Sequence, residues 1–310
     1  MTTRRRLLKS FGALALAQAC SGVPGTDLDG GTAGGSAAGG GSAGGAAAGG
    51  GTAGGGATAG GGATAGGGAT AGGGATAGGG AAGGAAGGWA SGTTALLAGK
   101  NYGNPFAGGA GPTCTLFAAS TRGPCHAPTL VRRDVSEGLT GLPMRLELLV
   151  VNAMCAPVPN ASVEIWMTDA ALGLYSGDID GNMSDAFCTG NNPTAVAARW
   201  GRGVQTAGAD GRVTFDSYFP GWYGGRATHI HFEVTVGTTS YVTSQLFFDE
   251  AFKANVYNTQ PVYRPTNQAG YVTNANDGVA NGLTLSEVVC RTAMQSDGNL
   301  LAWKAITIAQ

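Results

Sequence analysis

Three histidines occur in the 310 residues, and two of them, His229 and His231, stand two positions apart in the run Thr228-His229-Ile230-His231-Phe232-Glu233. On a β-strand, residues i and i+2 point to the same face. His229, His231, Glu233 and Thr235 therefore line one face, while Ile230, Phe232, Val234 and Val236 line the other and pack a core. Imidazoles about 7 Å apart along a strand face can converge on one cation. Just upstream, Pro220-Gly221-Trp222-Tyr223-Gly224-Gly225-Arg226 holds three glycines in a tight irregular loop able to bring Tyr223 and Arg226 beside the histidines. A phenolate is a hard anionic donor that suits iron(III) better than iron(II) or copper(I), and a trivalent cation lowers the Tyr pKa enough to ionise it near neutrality. An Arg next to such a metal stays charged and offers planar donors to negative charge growing on a bound ring. The two histidines by themselves also suit zinc or copper, a reading in which Tyr223 takes no part.

These groups need rigid elements to hold them. From Met144 to Asn152, Leu146, Leu148 and Val150 alternate with Arg145 and Glu147, the period-two pattern of a strand with one face buried. Val163, Ile165 and Met167 continue it after the turn Ala156–Asn160, and Arg212–Tyr218, His229–Val236 and Tyr241–Phe248 are further short runs rich in β-branched and aromatic residues. No stretch keeps a helical period for long, so the spacing predicts an all-β domain, a sandwich or barrel.

Composition narrows the partners. A net charge of -1 with 11% charged residues excludes nucleic acid and an anionic membrane surface, both of which need clustered Lys and Arg. Residues 1–20 read as an export address: Arg4-Arg5-Arg6, an apolar run from Phe11 to Ala19, then Cys20. Paired arginines before a short apolar stretch fit twin-arginine export in a bacterium. Cys20 stands where a lipoprotein signal is cut and acylated, yet Ala17-Gln18-Ala19 lacks the usual bulky residue, so lipid-anchored and free forms both stay open. Most of the 59 glycines fall in a Gly/Ala-rich stretch that places a disordered tether over 21–95, with Gly-Gly-Gly-Ala-Thr-Ala units starting at Gly54, Gly60, Gly66 and Gly72. Such side chains bury too little area to offset the entropy of ordering, and about 60 residues of such coil span on the order of 45 Å. The folded domain is placed at 96–310. Beyond Cys20 there are five cysteines, Cys114, Cys125, Cys155, Cys188 and Cys290, which in an oxidising compartment predicts two disulfides and one free thiol.

Two ordered motifs carry a resemblance. Pro220-Gly221-Trp222-Tyr223 followed by Gly225-Arg226-Ala227-Thr228-His229-Ile230-His231-Phe232, and upstream Cys155-Ala156-Pro157-Val158-Pro159-Asn160-Ala161-Ser162-Val163-Glu164-Ile165-Trp166 with Asp169-Ala170 and Gly173-Leu174-Tyr175-Ser176, resemble the signature of the intradiol ring-cleaving dioxygenases. The match runs from about Cys114 to Phe248. It implies a β-sandwich of the intradiol type, and a ferric ion held by Tyr175, Tyr223, His229 and His231. It also implies that Arg226 faces the substrate ring with Gln245 near it, and that a catechol-type diol reacts with O2 to give a muconate-type diacid. Tyr175, after the flexible Gly173, is taken as the phenolate that yields to substrate. Trp222 in the tyrosine loop points to the exported, single-chain branch. The sequence departs from the pattern in the long loop Gly177–Arg202, which carries Cys188, and at Ala118–Pro124 where the family has a leading Thr-Pro. Both would border the pocket, so they bear on substrate choice. His126 has no metal-ligand spacing and reads as structural, and Tyr218 reads as core. The rival function is an exported module that captures a catechol or a metal without catalysis.

Overall fold

The computed structural model describes residues 88–111, 114–179 and 185–310. The export address, Cys20 and the tether up to residue 87 lie outside the described residues. Among the described residues, eight strands form two four-stranded sheets. The first has the order β4 (Arg212–Tyr218), β1 (Pro143–Asn152), β8 (Leu300–Ile308), β7 (Arg291–Met294); the second has the order β3 (Arg202–Thr206), β2 (Ser162–Trp166), β5 (His229–Val236), β6 (Thr239–Phe247). All pairs are antiparallel except β1 with β8. The expected all-β sandwich is the observed architecture.

The alternation read in the sequence sets which side chains meet between the sheets. Leu146, Leu148 and Val150 of β1 and Phe215 of β4 face Val163 and Ile165 of β2 and Ile230, Phe232 and Val234 of β5, and Leu300, Ala302 and Ile306 of β8 join the same core. Strand β1 departs from the expected one-sided burial: Arg145 and Glu147 are buried as well. The reason is a cover of preceding chain. Arg145 donates to the Leu97 and Lys100 carbonyls and pairs with Asp216, and Glu147 accepts from Arg212 and Thr214. Packing begins at Trp89, inside the stretch that composition gave to the tether. Its indole sits edge-on to Phe252, and Gly92 pairs with Gly141.

The helices are α1 (Asp185–Cys188), α2 (Pro193–Ala197), α3 (Glu250–Thr259) and α4 (Leu285–Val288). The longest, α3, has an Asp249 N-cap that accepts from the Phe252 amide, a start signal that strand periodicity does not register. Two disulfides, Cys114–Cys155 and Cys125–Cys188, and a buried free Cys290 account for the five cysteines. The second bridge matters most for function, because it holds two loops against the outer face of β2 and β5.

Phe232 is fully buried at the centre of the core and meets Phe117 edge-to-face with centroids 5.1 Å apart. Phe232→Ala should cost about 3 to 5 kcal/mol of stability, read as a lowered urea midpoint; an unchanged midpoint would contradict this account of the core.

Candidate metal centre

Strand β5 delivers the histidines. Ile230 and Phe232 point inward, so His229 and His231 emerge on the outer face of the second sheet, beside Trp166 of β2, which pairs with His231 in the register. An outward face of a sandwich is ordinarily wet. Here both imidazoles are buried, because the loops stapled by Cys125–Cys188 lie over them: Cys125, Ala127, Trp166, Tyr175, Ile179 and Cys188 form a small second cluster against which Tyr223 packs. The cover fits closely. Gly123 has φ +70°, and a Cβ there would stand 2.9 Å from His231 Cε1.

Tyr175 is placed by a turn built on Asp169, whose carboxylate accepts from the amides of Ala171, Leu172 and Leu174. Gly173 lies in that turn at φ +70°, and a Cβ would run into the Trp222 carbonyl. This close approach, available to glycine alone, brings the Tyr175 turn against the Tyr223 loop. Gly221 donates to the Asp169 carbonyl and Trp222 Nε1 to the Arg264 carbonyl, fixing that loop from both sides.

The four side chains singled out in the sequence meet. Tyr175 Oη lies 3.1 Å from His229 Nε2, and His229 Nε2 lies 3.1 Å from His231 Nε2. The Tyr175 and Tyr223 rings are 5.8 Å apart, as are those of Tyr223 and His229. His229 Nδ1 donates to the Ala227 carbonyl at 2.6 Å, which leaves Nε2 as a bare lone pair facing the cluster. The His231 ring is held flat against Trp166, 4.9 Å apart at 6°. Burial first, and Arg226 nearby, pull His229 down to about 3; burial and then His229 pull His231 well below its ordinary value. Burial lifts Tyr175 well above the ordinary phenol value, with Tyr223 adding to it, and burial lifts Tyr223 as well.

Neutral imidazoles are what a metal needs. Two donors each about 2.0 to 2.1 Å from one cation at right angles stand roughly 3 Å apart, and the observed 3.1 Å spacings match. A cation would also reverse the burial effect on the phenols. The residues therefore fit a metal ion. Among the described residues no three His, Cys, Asp or Glu side chains gather at a point; the cluster is made instead of two imidazoles and two phenols.

Arg226 borders it. Its Nε pairs with Asp277 at 2.9 Å, one terminal nitrogen donates to Gln245 Oε1 at 2.5 Å, and the other stands 3.5 Å from Tyr223 Oη. Gln245 in turn donates to the Thr121 carbonyl. His126 is outside the cluster, bonded to Glu164 at 2.8 Å, and Tyr218 is in the core.

No protein-family model matches the chain, and no curated protein sequence does. Solved structures do. An intradiol ring-cleavage dioxygenase from Tetranychus urticae superposes with a TM-score of 0.55 at 26% identity, covering 63% of this chain and 95% of that one. A second dioxygenase superposes at 0.54 with 25% identity and the same coverage, 63% and 95%. The chain shares its fold with these intradiol ring-cleavage dioxygenases.

Sequence reasoning missed Asp277. Its side chain is wholly buried, one carboxylate oxygen accepts from Arg226 and the Ala227 amide, and the other from the Val279 and Ala280 amides. It thus fixes both Arg226 and the residue whose carbonyl orients His229. The only sequence signal was an Asp-Gly turn fifty residues downstream, with nothing to tie it to the motif. Asp277→Asn should lower turnover on the order of 10- to 100-fold, less than the 10²- to 10³-fold typical of deleting a charge-stabilising donor outright, while metal content stays near wild type. Loss of metal in proportion to activity would show that Asp277 serves packing rather than Arg226.

Proposed function

We propose that the protein is a non-haem iron(III) dioxygenase that opens an aromatic ring between two adjacent hydroxyl-bearing carbons, converting a catechol-type diol and O2 to a muconate-type diacid. The observation that carries the reading is the convergence of His229, His231 and Tyr175 donor atoms at 3.1 Å with Tyr223 beside them. Two imidazoles and two phenolates form a hard, anionic donor set that fits a ferric ion, and these four residues would hold it. Bound there, iron(III) would supply Lewis acidity that ionises the diol and draws electron density from its ring.

The chain's own residues would do the rest. Arg226 is held by Asp277 and Gln245 with a terminal nitrogen turned toward Tyr223. A fixed, preorganised cation in a water-poor site favours negative charge on a ring lying between it and the phenols. Trp166, the Cys125–Cys188 bridge and Gly123 keep water from the histidine side. Burial favours Tyr223 over Tyr175 as the phenol that yields to substrate. Tyr175 is 2% exposed and bonded to His229, whereas Tyr223 is partly exposed and has Arg226 beside its oxygen. On swinging outward, Tyr223 Oη would take a proton from an incoming hydroxyl.

The two disulfides support export to an oxidising compartment, in line with the twin-arginine address, and twin-arginine export of a folded chain would let iron load before the bridges form. The test is oxygen uptake by the iron-loaded protein with catechol or protocatechuate. Stoichiometric O2 consumption with appearance of a diacid is expected. Tight binding of the diol without oxygen uptake would make the protein a capture module.

A further inference from the structure

Arg202, the first residue of β3, is fully buried. Its Nε donates to the Ser176 carbonyl at 2.7 Å and one terminal nitrogen donates to the Cys125 carbonyl at 2.6 Å, while the other terminal nitrogen is buried with no partner among the described residues. Among the described residues no carboxylate forms an ion pair with it. A buried charge lacking a counter-charge is strongly unfavourable, and guanidinium does not escape by losing its proton: burial pulls it down only to about 10, so it is cationic at neutral pH. The acidic groups near enough to offset its charge are Tyr175, a phenol that would be anionic only as a metal ligand, and Glu164. Glu164 is already engaged by His126 and Thr129.

The place of Arg202 in the fold makes the pairing with Tyr175 specific. Ser176 is the residue after Tyr175, and Cys125 is half of the bridge to Cys188, whose carbonyl accepts from the Tyr175 amide at 2.8 Å. Arg202 therefore ties the Tyr175–Ser176 segment to the Cys125 segment, and Tyr175 itself is bonded to the far end of the bridge at Cys188. We propose that Arg202 is a positioning residue of the metal centre. Its fork clamps the chain at Ser176, the residue after Tyr175, to the Cys125 end of the bridge, and its buried charge would be balanced by the Tyr175 oxygen when that oxygen is a metal ligand. The inference rests on the iron(III) reading of the site.

The test uses the full chain loaded with iron(III), as wild type, Arg202→Gln and Arg202→Lys. Three readouts are the iron-to-protein ratio after dialysis, the position of the visible tyrosinate-to-iron band, and the thermal midpoint of the metal-free protein. Arg202→Gln should hold severalfold less iron, and its band should move to longer wavelength, because phenolate electrons are no longer held by a neighbouring positive charge. Arg202→Lys, which keeps the charge, should recover the wild-type band position and most of the iron. Arg202→Gln with wild-type iron content and band would overturn the proposal. If Arg202→Gln does not fold, Arg202→Lys decides: recovery of band and iron supports the role of the charge, and a displaced band or lost iron overturns it. Absence of any band in the iron-loaded wild type would instead sink the iron(III) reading itself.

Discussion

Two imidazoles and the Tyr175 phenol are buried, with Tyr223 packed at their edge, on a face of a sheet that ordinarily faces water, and the surrounding structure is arranged to permit this. His229 and His231 leave β5 outward because Ile230 and Phe232 must point inward, a consequence of the two-residue period of the strand. Their burial then requires a cover, and the cover is loop. Loops without regular structure hold a shape only when they are tied down. Here the ties are the Cys125–Cys188 bridge, the Gly173 and Gly123 close approaches, and the buried hydrogen bonds of Asp169, Arg202 and Asp277.

That arrangement also explains the electrostatics. Burial pushes both imidazoles toward the neutral form and both phenols toward the protonated form, and a cation bound among them would reverse the effect on the phenols. Two guanidinium groups then bracket the phenols from different sides. Arg226 is bound to a carboxylate and reaches the Tyr223 hydroxyl, and Arg202 is bound to the backbone carbonyls of Ser176, next to Tyr175, and Cys125. The centre is thus poised for an anionic ligand set, with one charge serving the open side and one the closed side.

Much of this was legible in the sequence, for physical reasons. The inward and outward faces of β5 follow from strict alternation, and His229-Ile230-His231 stands out because histidine is otherwise so scarce. The Tyr223 loop is marked by its glycines, and the count of cysteines matches the two bridges and one thiol observed. What stayed hidden depends on contacts between distant segments. The buried outer face of β1 arises from preceding chain lying over it, Leu97 and Lys100 at Arg145 and Phe106 at Leu149 and Val151. Helix α3 lacks a clear apolar stripe, since Lys253 is among its buried residues. Asp277 and Arg202 gain their meaning only when loops fifty and twenty-six residues away fold against them.

The central claim is that two phenolates and two imidazoles share one ferric ion. The most direct measurement is the visible absorption spectrum of the purified, iron-loaded protein, before and after anaerobic addition of catechol. The account predicts a purple to red protein whose broad tyrosinate-to-iron band changes when the diol binds. A colourless protein carrying stoichiometric iron, or full colour retained when Tyr175 and Tyr223 are both replaced by Phe, would contradict it.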